Sequence, residues 1–343
     1  MKISGRNFIF LVLYVDDILL ASTDKGLLQQ TKHFLSENFD MKDLGDASYV
    51  LGIEITRDRS KHLLGLSQQA YISKVLKRFE MHTCSPGAAP MSKGDKLNKN
   101  QCPKNELEKE DMKTKPYSRL VGSLIYAQVC TRPDLAYAVG MLARFQSNPG
   151  HEHWIAGKKV LRYLQKTKGY SLVYRRVKDL EVEGYSDADF AGHFPTSGKS
   201  TSGYVFMLAG GAIAWKSVKQ TQIATSTMMA EFIAIYEATC QGLWLKNFLA
   251  QTKLVDSIIS RPLKIHYDNS AAVYFTKNNK RSTNSKHIDL KYYSVRERVK
   301  HNELIIAKIN TLNQLADPFT KPLTIAAFEK HTENIGILPT IDT

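Results

Sequence analysis

The feature that most constrains the fold is the alternation of strand and helix patterns in the second half of the chain. Three apolar, strand-like segments come first, and a long helical pattern over Thr227–Leu249 follows them. Strand patterns at Leu263–Asp268 and Glu303–Ile309 then flank a helical pattern over Lys286–Lys300. This order predicts an α/β (α+β) domain, in which a five-stranded mixed sheet is flanked by helices.

Four acidic residues fall where such a domain can bring their side chains together. Asp187 and Asp268 end strand patterns. Glu231 lies in the first turn of the long helical pattern, and Asp317 lies in a short terminal helical pattern. A single Asp at a strand end is more often a turn former or a helix cap, so each residue alone is weak support. Together, the carboxylates would form a site that cations neutralise, and magnesium prefers such oxygen ligands. Two such ions could activate water and stabilise the leaving oxygen of a phosphodiester.

The segments around these carboxylates resemble the ribonuclease H domain of copia-type LTR retrotransposons. The matching motifs are Tyr185–Gly192, Ser226–Phe232, His266–Ala271, Lys286–Asp289 and Ala316–Lys321, and their order and spacing agree across residues 180–322. The resemblance implies cleavage of the RNA strand of an RNA–DNA hybrid by two-metal hydrolysis.

The same resemblance implies roles for individual residues. The family's four metal-binding carboxylates correspond to Asp187, Glu231, Asp268 and Asp317. The implied cofactor is a pair of magnesium ions, with manganese as the alternative. Asp187 is expected to bridge the two ions, and Asp189 competes with it for that role.

His287 also falls in a family motif, and we include it among the candidate catalytic residues. Substrate contact and proton handling are its functional alternatives, and packing or helix capping is the structural one. The sequence departs from the family at Met229, where Glu is frequent, and at Tyr293, where His is frequent. Neither position is one of the four carboxylates.

The N-terminal part contains Tyr14-Val15-Asp16-Asp17 between two apolar strand patterns, which predict a buried hairpin with carboxylates at its turn. This motif resembles the polymerase signature of reverse transcriptases. Further segments resemble the copia-type palm, thumb and connection: Lys42–Gly45, Leu51–Ile55, Leu66–Gln68 with Tyr71-Ile72, Tyr117–Ile125 and Thr131–Leu135. Together with the ribonuclease H part, the resemblance covers nearly the whole chain.

Nucleotide addition by two metal ions needs a further carboxylate from another palm strand. In the family that strand precedes the signature, and residues 1–15 contain no Asp or Glu. We therefore expect Asp16 and Asp17 to be relics of a polymerase site. Unless another chain completes that site, this chain alone should not polymerise DNA.

Four segments follow from these assignments. Residues 1–91 are expected to form a partial reverse-transcriptase palm and thumb, and residues 117–177 the connection. Between them, residues 92–116 are mostly Lys, Glu, Asp, Asn and Pro, which predicts a polar linker. Residues 178–343 are expected to form the ribonuclease H-like domain.

The charge balance favours a polyanionic partner, because 47 Lys and Arg stand against 33 Asp and Glu. Gly157–Lys178 carries eight basic residues and no acidic one, with tyrosines interleaved. A phosphate-tracking surface and a solvated face both explain that segment. The expected partner is an RNA–DNA hybrid, recognised by helix shape and 2′-hydroxyls. The upstream reverse-transcriptase part of Pol is a second expected partner.

Other classes of protein are disfavoured by the sequence. The four cysteines form no CxxC pair, so neither a zinc knuckle nor a disulfide framework is indicated. No apolar stretch has the length of a membrane span, so no membrane contact is expected. The resemblance implies an intracellular protein in cytoplasmic particles, with the nucleus as the alternative.

Two further hypotheses about function stay open at the level of sequence. The chain could be a catalytically inactive nucleic-acid-binding remnant of a decayed element. It could also be a domain that supports a separate polymerase chain.

Overall fold

The computed structural model describes residues 2–4, 7–192, 198–251, 261–269 and 286–339, and the side chains of 2–4 and 286–290 lie outside that description. The helices are α1 (Lys25–Asn38), α2 (Gln69–Arg78), α3 (Glu106–Lys113), α4 (Tyr117–Cys130), α5 (Ala136–Ala143), α6 (His151–Lys166), α7 (Thr227–Gln251), α8 (Lys286–Lys300) and α9 (Ile325–Asn334). The strands are β1 (Lys2–Ser4), β2 (Asn7–Tyr14), β3 (Asp17–Ser22), β4 (Tyr49–Val50), β5 (Ile53–Asp58), β6 (Leu63–Ser67), β7 (Ser171–Arg175), β8 (Glu183–Asp189), β9 (Thr201–Leu208), β10 (Gly211–Lys219), β11 (Leu263–Tyr267), β12 (Leu304–Lys308) and β13 (Ile337–Leu338).

The first three strands form a small antiparallel sheet in the order β1-β2-β3. Strands β2 and β3 make the predicted hairpin, in which Tyr14 pairs with Asp17 across a two-residue turn. The prediction that this hairpin is buried is wrong, because Val12 and Leu13 are 57% and 63% exposed. In the part of the chain that the structure describes, the hairpin packs mainly on α1, which leaves its tip uncovered.

A helical core occupies the centre of the protein, where α2, α4, α5 and α6 pack together. Its innermost side chains include Leu120, Leu124, Val160 and Leu161, all fully buried. Helices of this kind are stabilised mainly by the apolar face they bury, because propensity alone is too weak.

The segment expected to be a polar linker, residues 92–116, contains α3. Asn105 caps this helix, since its side chain accepts a hydrogen bond of 2.9 Å from the Glu108 backbone N–H. Leu97 and Met112 from the same segment are buried. The charged residues of α3 therefore lie on its outer face, while single apolar residues attach the segment to the rest of the protein.

The C-terminal sheet has five strands in the order β10-β9-β8-β11-β12. Strands β8, β9 and β10 are antiparallel neighbours, whereas β11 runs parallel to both β8 and β12. Helix α7 packs on one face of this sheet, where Phe232 and Ile235 meet Phe206 and Ile265. The prediction of a five-stranded mixed sheet flanked by helices is confirmed.

A third sheet joins distant parts of the sequence in the order β13-β7-β6-β5-β4. Its strand β13 lies near the C-terminal end and pairs with β7, so the last described residues return to the middle of the chain. Gly336 precedes β13 with φ +90, a left-handed conformation that favours glycine. A Cβ at this position would lie 2.8 Å from the Gly211 Cα, so the close approach of the two backbones also requires glycine.

None of the helices in the described ranges is both long enough and apolar enough to cross a membrane.

Candidate functional site

Asp187 lies on strand β8 of the C-terminal sheet, two residues before the carboxyl end of the strand. The residue is 2% exposed, and its Oδ2 accepts a hydrogen bond from the Thr320 hydroxyl. On the neighbouring strand, Gly203 lies opposite Asp187. A Cβ at Gly203 would lie 2.7 Å from side-chain carbons of Phe319 and Thr320, which is too close. Glycine at this position therefore allows residues 317–320 to pack directly on β9.

Helix α7 places Glu231 over the same end of the sheet. The helix begins at Thr227, and the Ser226 hydroxyl accepts a hydrogen bond of 3.2 Å from the Met229 backbone N–H. Glu231 follows one turn later and is 5% exposed. Its Oε2 has no hydrogen-bond partner among the described residues. An orphaned carboxylate oxygen in a buried site is costly unless a cation or proton compensates it.

Strand β11 brings Asp268 beside Asp187, because β8 and β11 are parallel neighbours. Asp268 follows Tyr267, the last residue of the strand, and is half-buried. Two residues earlier, His266 stacks on Tyr185 of β8 with ring centroids 4.7 Å apart. Lys264 also contacts Glu183 of β8 at 3.3 Å. These cross-strand contacts fix the lateral position of β11 relative to β8.

The structure brings Asp187, Glu231 and Asp268 together, with one carboxylate oxygen from each lying within 4.8 Å of the others. Burial, with smaller contributions from Asp187 and Asp268, raises the pKa of Glu231 to about 9. Three converging carboxylates with an orphaned oxygen are a donor set suited to hard divalent cations, which take oxygen ligands. The residues present therefore fit a magnesium or manganese site.

Asp317 lies beside this trio, in the short 3₁₀ turn Asp317–Phe319. Its carboxylate contacts the Lys321 ammonium at 3.0 Å, and the same ammonium lies 3.5 Å from Asp187 Oδ2. Burial and the nearby Asp187 raise the pKa of Asp317 to about 7. Against the opposing effect of burial, Asp187 and Asp317 raise the pKa of Lys321, so the lysine stays charged.

The turn that carries Asp317 is tied to β8 by a second buried contact. Gln314 is fully buried, and its side-chain amide donates a hydrogen bond of 3.0 Å to the Ser186 backbone carbonyl. Its amide oxygen accepts from the Ala316 backbone N–H at 3.2 Å. From the sequence alone, Gln314, Thr320 and Lys321 were not among the candidate site residues. Thr320 and Lys321 belong to the motif Ala316–Lys321 with Asp317, and Gln314 lies two residues before it. A position in or near a motif does not show which side chain points to β8.

The other predicted site residues lie outside this trio. Asp189, two residues further along β8, is not part of it, and burial raises the pKa of its carboxyl. The side chain of His287 lies outside the described residues. Asp16 and Asp17 are exposed at the tip of the N-terminal hairpin. Among the described residues, Asp16 and Asp17 have no third acidic side chain close enough to form a metal-binding group with them.

The basic segment Gly157–Lys178 spans the second half of α6 and β7. Most of its cations are exposed, but Lys166 pairs with Glu329 at 2.8 Å. Its aromatic residues face inward: Tyr163 is 3% exposed and donates a hydrogen bond of 2.7 Å to Asp134. The segment therefore offers positive charge to a partner, while Tyr163 is unavailable for base stacking.

Known proteins similar to this chain include reverse transcriptases and retrotransposon Pol polyproteins. Residues 1–93 match the family described as "Reverse transcriptase (RNA-dependent DNA polymerase)". The retrovirus-related Pol polyprotein from transposon TNT 1-94 of Nicotiana tabacum is 44% identical over 336 residues, which is 98% of this chain and 25% of that protein. A putative transposon Ty5-1 protein of Saccharomyces cerevisiae is 32% identical over 234 residues, which is 68% of this chain and 73% of that protein.

Among solved structures, this chain is similar to a foamy viral protease-reverse transcriptase dRH in complex with double-stranded DNA. The similarity extends over 88% of this chain and 46% of that one. Its TM-score is 0.48 and its sequence identity is 12%. The chain spans about a quarter of the length of the tobacco Pol polyprotein that it matches.

Proposed function

Because this chain belongs to the copia-type retrotransposon Pol family, we propose that its C-terminal sheet carries a divalent-cation-dependent ribonuclease H site. The site would hydrolyse the RNA strand of an RNA–DNA hybrid. The observation that carries the proposal is the convergence of Asp187, Glu231 and Asp268 within 4.8 Å. Strand β8 and helix α7 each contribute one of these carboxylates, and the third lies directly after strand β11.

We propose that Asp187, Glu231 and Asp268, joined by Asp317, hold the cations. When bound, two magnesium ions would supply an activated water and neutralise charge on the leaving oxygen. Asp187 is the central carboxylate of the set, because it lies near Glu231 and Asp268 on one side and shares Lys321 with Asp317 on the other. This position supports its proposed role as the ligand shared by both ions.

The chain's own groups prepare the site for cations. The Thr320 hydroxyl donates to Asp187 Oδ2 and so restricts the orientation of that carboxylate. The Glu231 carboxyl keeps its proton at neutral pH in the cation-free protein, because its pKa is raised to about 9. It must release that proton to act as a ligand, which links cation binding to proton release.

The proposed substrate follows from charge and from the family. The formal net charge of +14 favours a polyanion, since phosphate neutralisation releases condensed counterions. Exposed cations at Lys158, Arg162 and Lys168 would contact the phosphate backbone. Such contacts do not read base sequence, so we expect recognition of hybrid shape and of RNA 2′-hydroxyls.

For the polymerase portion we propose that this chain alone does not extend a primer. Asp16 and Asp17 are exposed, and no third carboxylate lies with them among the described residues. Nucleotide incorporation by the purified chain on a primed RNA template, lost on changing both residues to Asn, would contradict this.

The proposed nuclease activity is tested with a hybrid that carries a different label on each strand. The purified chain should cut the RNA strand only when magnesium is present, and Asp268→Asn should abolish the cutting. Single-stranded RNA and double-stranded DNA of the same sequence serve as substrate controls. Binding of the hybrid without cutting would instead favour the inactive remnant.

A further inference from the structure

Lys321 is a cation located among the proposed metal ligands. Its ammonium group lies 3.0 Å from Asp317 Oδ1 and 3.5 Å from Asp187 Oδ2. The two acidic side chains are 8% and 3% exposed, and the lysine side chain is 34% exposed. Across the described ranges, no Arg or other Lys makes an ion pair with either carboxylate. Among the described residues, Lys321 is therefore the cation that the protein itself supplies to Asp187 and Asp317.

The position of Lys321 is set by the backbone rather than by a flexible surface loop. It follows Thr320, which is fully buried and whose hydroxyl donates to Asp187 Oδ2. The Lys321 backbone N–H donates to the Asp317 carbonyl at 3.3 Å, which closes the turn. The same turn thus aims a hydroxyl and an ammonium group at one carboxylate of β8.

The charges of the cluster depend on what occupies it. When ionised, the carboxylates of Asp187, Glu231, Asp268 and Asp317 carry four negative charges against the single positive charge of Lys321. Two divalent cations would bring four positive charges to the same carboxylates. The lysine would then be an additional positive charge at close range, where repulsion in a partly buried site is strong.

We propose that Lys321 is an exchangeable counter-ion of the metal site, an inference that rests on the proposed function. In the cation-free protein it stabilises the ionised Asp187 and Asp317. When divalent cations bind, they compete with the ammonium group for these carboxylates and displace it. Lys321 therefore weakens cation affinity while it stabilises the empty site.

Two other roles for Lys321 make different predictions. A purely structural ion pair would lower stability when removed but leave magnesium affinity unchanged. A contact to substrate phosphate would alter the KM for the hybrid and leave magnesium binding in the absence of nucleic acid unchanged. Only competition predicts that loss of the lysine tightens magnesium binding and destabilises the cation-free protein at once.

The test is magnesium titration calorimetry on the full chain without nucleic acid, together with thermal melting in EDTA. Lys321→Met should lower the magnesium Kd roughly tenfold and lower the EDTA melting temperature by about 2–4 °C. Lys321→Arg keeps the charge and should stay near the wild type in both measurements. Lys330→Met removes an exposed lysine of α9 and should change neither.

Lys321→Gln covers the case in which the methionine variant fails to fold, because its amide can still donate to Asp317 while the charge is lost. It too should bind magnesium more tightly than the wild type. An unchanged or weaker affinity in the neutral variants, beside a wild type that binds magnesium, would overturn the competition and leave the proposed nuclease site standing. No magnesium binding in any variant, the wild type included, would overturn both.

Discussion

A carboxylate oxygen of Glu231 lies within 4.8 Å of one from Asp187, and both side chains are at least nine-tenths buried. Two buried carboxylates at this distance cannot both ionise without a compensating cation or proton. Lys321 supplies part of that compensation at Asp187, whereas Glu231 Oε2 has no partner among the described residues. In the cation-free protein Glu231 therefore keeps its proton, as its raised pKa of about 9 indicates.

The first prediction concerns the pH dependence of stability without cations. The pKa of Glu231 is raised from 4.5 to about 9 in the folded protein. Its stabilising contribution to the free energy of unfolding is therefore fully present below pH 4.5 and is lost as pH rises towards 9. Glu231→Gln cannot ionise and should stabilise the cation-free protein at pH 8 by about 1–3 kcal/mol. Urea unfolding in EDTA at pH 5 and pH 8 measures this.

The result at pH 5 is the internal control, because that pH lies close to 4.5 and ionisation in the unfolded protein still gains little. The two proteins should differ there by much less than at pH 8. A wild type that is as stable at pH 8 as Glu231→Gln would show that the pKa of Glu231 is not raised in the folded protein. Saturating magnesium should reverse the order at pH 8, since only the wild type keeps the ligand.

The second prediction concerns the Thr320 hydroxyl, which donates to Asp187. Thr320→Val keeps the shape of the side chain and removes the donor, so Asp187 should lose its fixed orientation. We expect kcat for hybrid cleavage to fall about 10- to 100-fold, with little change in KM. Thr320→Ser retains the hydroxyl and should recover most of the rate. A valine variant with wild-type kcat would show that this hydrogen bond does not orient the carboxylate.

The third prediction concerns Gly203, which allows the 317–320 turn to approach β9. Gly203→Ala adds a Cβ 2.7 Å from side-chain carbons of Phe319 and Thr320, so the turn must shift. We expect a loss of stability of about 1–3 kcal/mol together with reduced cleavage. Gly122→Ala in α4 is the matched control, because its Cβ meets no atom within 4 Å. The control should stabilise the protein by about 0.5–1 kcal/mol. Equal denaturation midpoints for the two variants would refute this account of Gly203.

The fourth prediction concerns a buried ion pair in the helical core. Arg132 and Asp134 are 1% and 3% exposed, and two hydrogen bonds of 3.0 and 2.7 Å join them. Removing one partner leaves the other charge uncompensated, so Asp134→Asn should destabilise the fold by about 3–5 kcal/mol. Asp179→Asn, at an exposed carboxyl, should change stability little. Urea unfolding of both variants in EDTA measures the difference. Similar unfolding midpoints for the two variants would contradict the prediction.

Several features of the fold could be predicted from sequence because their signals are local. The order of strand and helix patterns, with the long helical pattern of α7 after the first three strands, was enough to predict the mixed sheet. The convergence of Asp187 and Asp268, each near the carboxyl end of a strand, could be expected from the strand patterns and from the family resemblance. The hairpin around Asp16 and Asp17 was also visible, because a short polar turn between apolar runs is a strong signal.

Other features depend on contacts between distant residues, which a sequence pattern does not contain. The pairing of β13 with β7 joins two-residue and five-residue strands that lie far apart in the chain. The exposure of Val12 and Leu13 depends on which elements cover the hairpin, and apolar residues alone predicted burial. Lys321 looks like any solvated lysine until Asp187 of β8 is placed beside it.

The most direct test of the proposed function compares RNA-strand cleavage by the wild type, Asp187→Asn and Asp16→Asn at saturating magnesium. We expect magnesium-dependent cutting by the wild type, a loss of more than about 100-fold in Asp187→Asn, and an unchanged rate in Asp16→Asn. Wild-type protein that binds the hybrid but leaves its RNA strand intact would contradict the proposed nuclease activity. So would an Asp187→Asn variant that cuts at the wild-type rate.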